Sequence, residues 1–417
     1  MDRVPAIAII FVLAGALLSL GSGCGGTTVF QGALPPATPG MPTPSPSPTP
    51  TAFPTPTATP MPSPAHGPAS ASRFIYGTPG FESGSVQAGR ISSEGSVSAI
   101  AGSPFDEALG TPSIVQIIAD ARGRFLYVLN VEASAVGEII GKPGICGFSI
   151  DQTTGALTRV PGSPIVFPFR NNNNLTIDPA GRFLFEPNSN FPSSGFDVYA
   201  INQITGALNK TSANSDVAPV GGFSVVSPDG RFLFNTGNGM VETFSIDPSS
   251  GQLTLAPGSL ISTGGSAGAA AITTDGQFLY IANQMEGTVA VFAVASDGTL
   301  APAHSTPFRV DPGAQSLALT PDGKFLYIQT FSVTANPVQT VKGYAVNPTS
   351  GSFAPIANAV VNNVSSVTLD LSGKFAYISA VGDLFTYAID PGTGTLTQVA
   401  HANGPSSDDP QDVVTAP

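Results

Sequence analysis

The chain has 417 residues, and only 10 % of them are charged, against about a quarter in an average soluble protein. Its 15 Lys and Arg residues and 27 Asp and Glu residues give a net charge of −12. This balance argues against a nucleic-acid partner, because binding to phosphate requires a basic face. The 47 glycines and 40 prolines favour turns over long helices.

The N-terminus predicts an export signal. The apolar run Ala6–Leu20 is short for a spanning helix, which needs about 20 residues. Small residues follow and lead to Cys24, a pattern that resembles a bacterial lipoprotein signal, in which the cysteine is diacylated. We therefore predict a signal peptide at 1–23, a short lipidated segment at 24–34, and attachment to a membrane on its periplasmic or extracellular side. An ordinary signal peptide or an uncleaved anchor are the alternatives.

Residues 35–71 form a stalk in which Pro, Thr, Ser and Ala nearly alternate. Proline rings favour extended polyproline II, so this segment is a semi-rigid spacer. At about 3.1 Å per residue, its roughly 36 residues reach about 110 Å. The alternative is a disordered tail with no spacing role.

From Arg73 onward, two phrases recur seven times each. The first, of the form RFLY, places a phenylalanine every 46 to 58 residues: Phe74, Phe125, Phe183, Phe232, Phe278, Phe325 and Phe375. The second, of the form (F/Y)-x-(I/V)-(D/N)-x-x-(T/S)-G-x-L, places its glycines at Gly95, Gly155, Gly206, Gly251, Gly298, Gly351 and Gly394. Each repeat predicts four antiparallel strands joined by tight turns. Residues 72–417 are therefore an all-β, seven-bladed β-propeller whose aromatic rings pack between blades.

The first repeat lacks its innermost strand, and the C-terminus supplies a candidate. The segment PQDVVTAP from Pro410 matches AQSLALTP from Ala314 in length and pattern. We predict that Gln411–Ala416 form the innermost strand of blade 1, beside Phe74–Tyr76. This closes the ring and removes the exposed edges of a linear array.

The two phrases and the blade count, over Arg73–Pro417, resemble the seven-bladed lactonase-type propellers. That family includes bacterial 6-phosphogluconolactonase and the fungal carboxymuconate-cyclising enzyme. The resemblance implies a site at the top of the central channel, with an Arg-His pair on one innermost strand and a Glu on the next strand. Here those positions hold Gly268, Ala269 and Gln284.

The positions equivalent to that His in other blades would line the central channel without an ionisable group. They are Gln116, Asn174, Phe223, Ser316 and Ser366. A general base near neutral pH is most often His, so the catalytic positions of the family are not retained.

Charged residues in the connections between blades are weak catalytic candidates. They are Asp106, Glu107, Arg170, Asp216, Arg309 and Asp311. Around the mouth of the central channel, these residues would bind an anionic lactone or sugar acid. Solvated loop charge or salt bridges between blades is the alternative, and we favour it. The chain has no Cys-x-x-Cys and no His cluster, so we predict neither a metal nor a cofactor.

Three functions remain open. The leading prediction is a monomeric, surface- or periplasm-displayed module that binds a protein, glycan or small-molecule ligand on the face with the long loops. The second is a lactone hydrolase of the 6-phosphogluconolactonase type, which rests on the resemblance. The third is a structural protein of the cell envelope.

Overall fold

The computed structural model describes residues 73–78, 85–106, 113–131, 133–135, 138–140, 143–167, 174–188, 195–211, 222–331, 339–380, 383–403 and 413–417. The predicted signal peptide, the lipidated segment with Cys24 and the stalk lie outside these residues. Every regular element in the described part is a β-strand. No helix of sufficient length and hydrophobicity to cross a membrane is found in that part of the chain.

The first four blades follow one another along the chain. Blade 1 contains β1 (Phe74–Gly77), β2 (Ser85–Ile91), β3 (Val97–Ala99), β4 (Phe105–Asp106) and the last strand of the chain, β34 (Val413–Ala416). Blade 2 contains β5 (Ser113–Ala119), β6 (Phe125–Val131), β9 (Gly144–Ile150), β10 (Leu157–Arg159) and β11 (Ile165–Val166), with a hairpin of β7 (Ala133–Ala135) and β8 (Glu138–Ile140). Blade 3 contains β12 (Thr176–Ile177), β13 (Phe183–Asn188), β14 (Gly195–Ile201) and β15 (Leu208–Lys210). Blade 4 contains β16 (Phe223–Val226), β17 (Phe232–Gly237), β18 (Met240–Ile246), β19 (Leu253–Leu255) and β20 (Ile261–Ser262).

Three more blades complete the ring. Blade 5 contains β21 (Ala267–Ile272), β22 (Phe278–Asn283), β23 (Thr288–Val294), β24 (Leu300–Pro302) and β25 (Phe308–Arg309). Blade 6 contains β26 (Ala314–Leu319), β27 (Phe325–Phe331), β28 (Gln339–Val346) and β29 (Phe353–Asn362). Blade 7 contains β30 (Ser366–Leu369), β31 (Phe375–Ala380), β32 (Asp383–Ile389) and β33 (Leu396–Asn403).

Each blade is an antiparallel sheet of four main strands, which pair in chain order from an innermost to an outer strand in blades 2 to 7, whereas blade 1 has the order β34-β1-β2-β3. The short strands β4, β11, β20 and β25 continue the outer edge and pair with the third strand of their blade. Innermost strands of neighbouring blades contact one another, for example β16 with β21 and β30 with β34. The predicted seven-bladed architecture is confirmed.

The C-terminal strand closes the ring as predicted. β34 pairs with β1 in an antiparallel register that sets Phe74 opposite Ala416 and Tyr76 opposite Val414. Thr415 Oγ1 also donates a hydrogen bond to the carbonyl of Leu369 in blade 7, at 3.0 Å. The two ends of the propeller are therefore held by a strand that belongs to blade 1 and contacts blade 7.

The phenylalanine of the first phrase packs against the glycine of the second phrase in the next blade. A Cβ atom built on Gly251, which has φ +75°, would lie within 3.0 Å of the ring of Phe183. The same holds across every seam, including the closing one, where Gly95 faces Phe375. The pairs are Phe74–Gly155, Phe125–Gly206, Phe183–Gly251, Phe232–Gly298, Phe278–Gly351, Phe325–Gly394 and Phe375–Gly95. The predicted packing of these rings between blades is confirmed, and glycine is required because the ring occupies the space of a side chain.

The second phrase folds into a tight turn around the Asp or Asn at its fourth position. Asp247 Oδ1 accepts hydrogen bonds from the backbone of Ser249 at 3.0 Å and of Ser250 at 2.8 Å. The hydroxyls of both serines also donate to it. These hydrogen bonds, the Ser249 hydroxyl first, lower the pKa of Asp247 to about 2. Asp or Asn at this position therefore shapes the turn that presents Gly251 to the preceding blade.

Buried tyrosines add a polar link across four seams. Tyr280 Oη donates to the carbonyl of Gly351 at 2.9 Å, and Tyr76, Tyr127 and Tyr327 make the same bond to the next blade. Burial raises the pKa of each of these phenols, so they stay neutral and donate. Tyr377 is equally buried, but its hydroxyl has no partner among the described residues.

Removal of Val413–Pro417 should open the ring. Without β34, the main-chain groups of β1 become an unpaired edge, which can pair with another chain. We expect a lower thermal midpoint and self-association that grows with protein concentration, measured by differential scanning calorimetry and size-exclusion chromatography. Thr415→Val is the control, because it removes one hydrogen bond at a cost of about 1 kcal/mol and should leave the monomer intact. A truncated chain that unfolds like the wild type would contradict closure by β34.

Tyr280→Phe and Tyr377→Phe should differ in their effect on stability. The first removes a donor from a buried carbonyl and should cost about 1–2 kcal/mol in the free energy of unfolding. The second removes an unpartnered buried hydroxyl and should be neutral or stabilising. Urea denaturation of the two variants beside the wild type measures both values, and equal losses would contradict the assigned hydrogen bonds.

Candidate functional site

The connections between blades and the turns between second and third strands lie at the same end of the sheets, because neighbouring strands are antiparallel. We call this end the upper face. Its described parts include the turns at 238–239, 263–266, 284–287 and 310–313, in blades 4 to 6. Loops carried by a rigid frame are where binding sites usually lie, so the candidate site is built from this face.

Glu286 lies on the upper face of blade 5, beside the start of the innermost strand β21. Its Oε2 accepts hydrogen bonds from the backbone of Ser266 at 2.7 Å and from Ser266 Oγ at 2.8 Å. Ser266 Oγ also accepts from the backbone of Met285 at 2.9 Å, which fixes the turn. The hydrogen bonds from Ser266, the backbone one first, hold the pKa of Glu286 below its usual value. Glu286 is exposed and ionised at neutral pH.

The three positions to which the resemblance assigns the catalytic groups are neighbours in space. Gly268 and Ala269 lie where β21 shifts register against β22, and Gln284 directly follows β22. A Cβ atom on Gly268 would lie 2.7 Å from Gln284 Nε2, so the glutamine side chain covers this glycine. Thr236 of blade 4 donates to the carbonyl of Gly268. An arginine at 268 would have to displace Gln284.

Of the five residues predicted to line the channel, Phe223 begins β16, and the other four are amides and hydroxyls that are half-buried. Gln116 Nε2 donates to the carbonyl of Leu175 at 3.1 Å, and Leu175 donates its backbone N–H to Gln116 Oε1. Asn174 Oδ1 accepts from the backbone and the hydroxyl of Ser224, both at 3.1 Å. Two of these side chains thus link the innermost strands of blades 2, 3 and 4.

The other two predicted channel residues bond or pair within their own blades. The hydroxyls of Ser366 and Ser379 lie 2.7 Å apart, and Ser316 lies opposite Gln329 in the pairing of β26 with β27. None of the seven innermost strands contains a charged residue. This ring of neutral groups can donate and accept hydrogen bonds, but it contains no group that titrates near neutral pH.

The charged residues proposed from the sequence are not gathered by any described contact. Asp106 and Arg309 are exposed and end the outermost short strands β4 and β25, in blades 1 and 5. Asp311 forms an ion pair with Lys342 on β28 of blade 6. Glu107, Arg170 and Asp216 lie outside the described residues, so a role for them stays a prediction.

Sequence reasoning missed Glu286. The matching position was Gln284, two residues earlier, and no short phrase marks a carboxylate in a turn. The hydrogen bonds from Ser266 reveal that Glu286 lies beside the residue that precedes the innermost strand β21.

Comparison with known families and structures supports the resemblance. Residues 223–368 match the model of the family described as Lactonase, 7-bladed beta-propeller. No curated protein matches the chain. The matched range spans β16 to β30 and therefore includes Glu286, Ser266 and Gln284.

Solved structures share the fold at low sequence identity. A putative 6-phosphogluconolactonase from Bacteroides uniformis is 17 % identical, with a TM-score of 0.66, and covers 83 % of this chain and 99 % of its own. One from Bacteroides fragilis is 19 % identical, with a TM-score of 0.65 and coverages of 84 % and 99 %. The periplasmic gluconolactonase of Pseudomonas aeruginosa is 21 % identical, with a TM-score of 0.64 and the same coverages. The chain therefore has the seven-bladed fold of the lactonase-type propellers, and its residues 223–368 carry the sequence pattern of that family.

Proposed function

We propose that this protein is an exported propeller that binds a neutral, polyhydroxylated ligand, a sugar or a sugar lactone, on its upper face. The observation that supports it best is the chemistry of the innermost strands and of the described upper face. Amide and hydroxyl side chains lie on or next to the innermost strands, and Glu286 adds one ionised acceptor on the upper face, near the start of β21. Such groups match ligands that carry many hydroxyls, which both donate and accept hydrogen bonds.

Binding is favoured over catalysis because the described groups are poor general bases. An effective base has a pKa near the working pH, whereas hydrogen bonds from Ser266 lower the pKa of Glu286. Gly268 and Ala269 contribute no ionisable side chain. A carboxylate that is always ionised can instead accept a hydrogen bond from a sugar hydroxyl, which is a strong, charge-assisted interaction.

Glu286→Gln should weaken binding to a sugar ligand by about 10- to 100-fold, since a hydrogen bond to a charged group contributes about 1.5–3 kcal/mol. Isothermal titration of the full chain against a panel of methyl glycosides and sugar lactones measures the dissociation constants. Glu94→Gln is the matched control, because Glu94 is exposed in the turn between β2 and β3, at the opposite end of the blades. Equal binding by both variants and the wild type would contradict a role for Glu286.

A second candidate function is hydrolysis of a sugar lactone. It is supported by the family match over 223–368 and by the three lactonase-type structures of the same fold. In this case Glu286 would activate water, and Glu286→Gln would abolish turnover rather than weaken binding. The same panel therefore decides between the two: a rate of ring opening above the spontaneous rate that Glu286→Gln removes supports the hydrolase.

The proposed localisation is the outer side of a membrane, with a lipid on Cys24 and the stalk as spacer. The apolar run before Cys24 supports this. Cys24→Ala should move the protein from the membrane fraction to the soluble fraction and abolish incorporation of labelled palmitate, measured in a bacterial host. A variant that remains in the membrane fraction would support an uncleaved anchor instead. Cys146→Ala is the control cysteine, because Cys146 is buried in β9.

A further inference from the structure

Six of the seven blades place an aromatic ring at the same position of the third strand. In the pairing of second and third strands, this residue lies opposite the second residue of the F-L-Y phrase, as Phe148 lies opposite Leu126. The equivalent residues are Phe148, Tyr199, Phe244, Phe292, Tyr344 and Tyr387. Blade 1 has Gly89 there, opposite Ile75.

Each of the six rings packs on the preceding blade. Phe148 of blade 2 belongs to one apolar cluster with Phe74 and Tyr76 of blade 1. Tyr344 of blade 6 likewise clusters with Phe278 and Tyr280 of blade 5. The ring that is missing at Gly89 would therefore face blade 7, across the seam where the propeller closes.

A cavity of about 460 Å³ lies at this seam. Blade 1 contributes Ile75, Gly89, Val97 and Ala99, and blade 7 contributes Leu384. Its size is within the range of about 300–1,000 Å³ typical of small-molecule sites, and its lining is mainly apolar with a few polar groups, as in such sites.

The same seam also differs in its hydrogen bonds. At four other seams a buried tyrosine hydroxyl donates to the carbonyl of the glycine in the next blade. At the closing seam, Thr386 Oγ1 donates a hydrogen bond to the carbonyl of Gly95 at 2.9 Å. The hydroxyl of Tyr377 has no hydrogen-bond partner among the described residues. Tyr377 belongs to one apolar cluster with Ile75, Val413 and Leu384, which line the cavity. The closing seam is thus less completely packed than its counterparts.

We propose that this cavity is a binding site for a small, monocyclic aromatic molecule with a polar substituent. The other blades show what fits between two blades at this position, namely a phenylalanine or tyrosine ring. Gln87 and Asp383 line the cavity and suit a hydroxyl or amino group on the ring. The site is separate from the upper-face turn of blade 5 that carries Glu286, and it would add a second ligand to the propeller.

The probe is p-cresol, the analogue of a tyrosine side chain, titrated into the full chain with labelled Ile, Leu and Val methyl groups. We expect saturable binding with a dissociation constant of about 1 mM, and shifts of the methyl signals of Ile75, Val97, Leu384 and Val413. An absence of saturable shifts, or shifts that cluster at other methyl groups, would overturn the proposal.

Two variants should block the site. Gly89→Phe supplies the missing ring, although Val97 must move because a Cβ at 89 would lie 2.5 Å from its Cγ1. Ala99→Phe is the second blocker, because Ala99 is exposed, lines the cavity and lies opposite Gly89 in the pairing of β2 with β3. Both should weaken p-cresol binding at least tenfold. Ser98→Phe is the matched control, since Ser98 is exposed but does not line the cavity. Unchanged affinity in Ala99→Phe, or an equal loss in Ser98→Phe, would refute the site.

Discussion

The packing of a phenylalanine ring onto a glycine of the next blade is the contact on which this propeller depends. It occurs at all seven seams, and the last copy, Phe375 on Gly95, joins the two ends of the chain. The glycine has a positive φ in every blade, and in five of the seven it ends a turn shaped by an Asp or Asn, so backbone conformation and ring placement require each other. The first phrase of one blade therefore supplies the ring, and the second phrase of the next blade supplies the glycine that the ring covers.

In a propeller packed in this way, the functional groups lie at the ends of the strands. The innermost strands carry neutral residues, and Gln116 and Asn174 use their amides to join neighbouring blades. The charged groups available to a ligand are then those of the turns, where Glu286 is held by Ser266. This division explains how a fold shared with lactonase-type structures can retain its frame while the positions of their catalytic groups hold Gly268, Ala269 and Gln284.

The repeats also show that one seam, between blades 7 and 1, differs from the other six. Six aromatic rings on the third strands pack at six seams, whereas the closing seam has Gly89 at this position and a cavity beside it. The same seam is closed by a strand from the far end of the chain, so its two faces come from the first and last repeats. A cavity between them can take a ligand without disturbing the six other seams, because each blade packs only on its neighbours.

The sequence by itself determined the fold class, the blade count and the closing strand. Periodic phrases such as RFLY and FSID indicate which residues face a neighbouring blade, and closure of the seven blades into a propeller buries all of these residues. The tertiary structure alone decided where the charged groups and the cavity lie: Asp106 and Arg309 end outer strands, Glu286 contacts Ser266 just before β21, and Gly89 lines a cavity between blades 1 and 7. The reason is physical. Repeat packing is local and recurs in the chain, whereas a site depends on side chains from turns and seams whose distances no spacing in the sequence encodes.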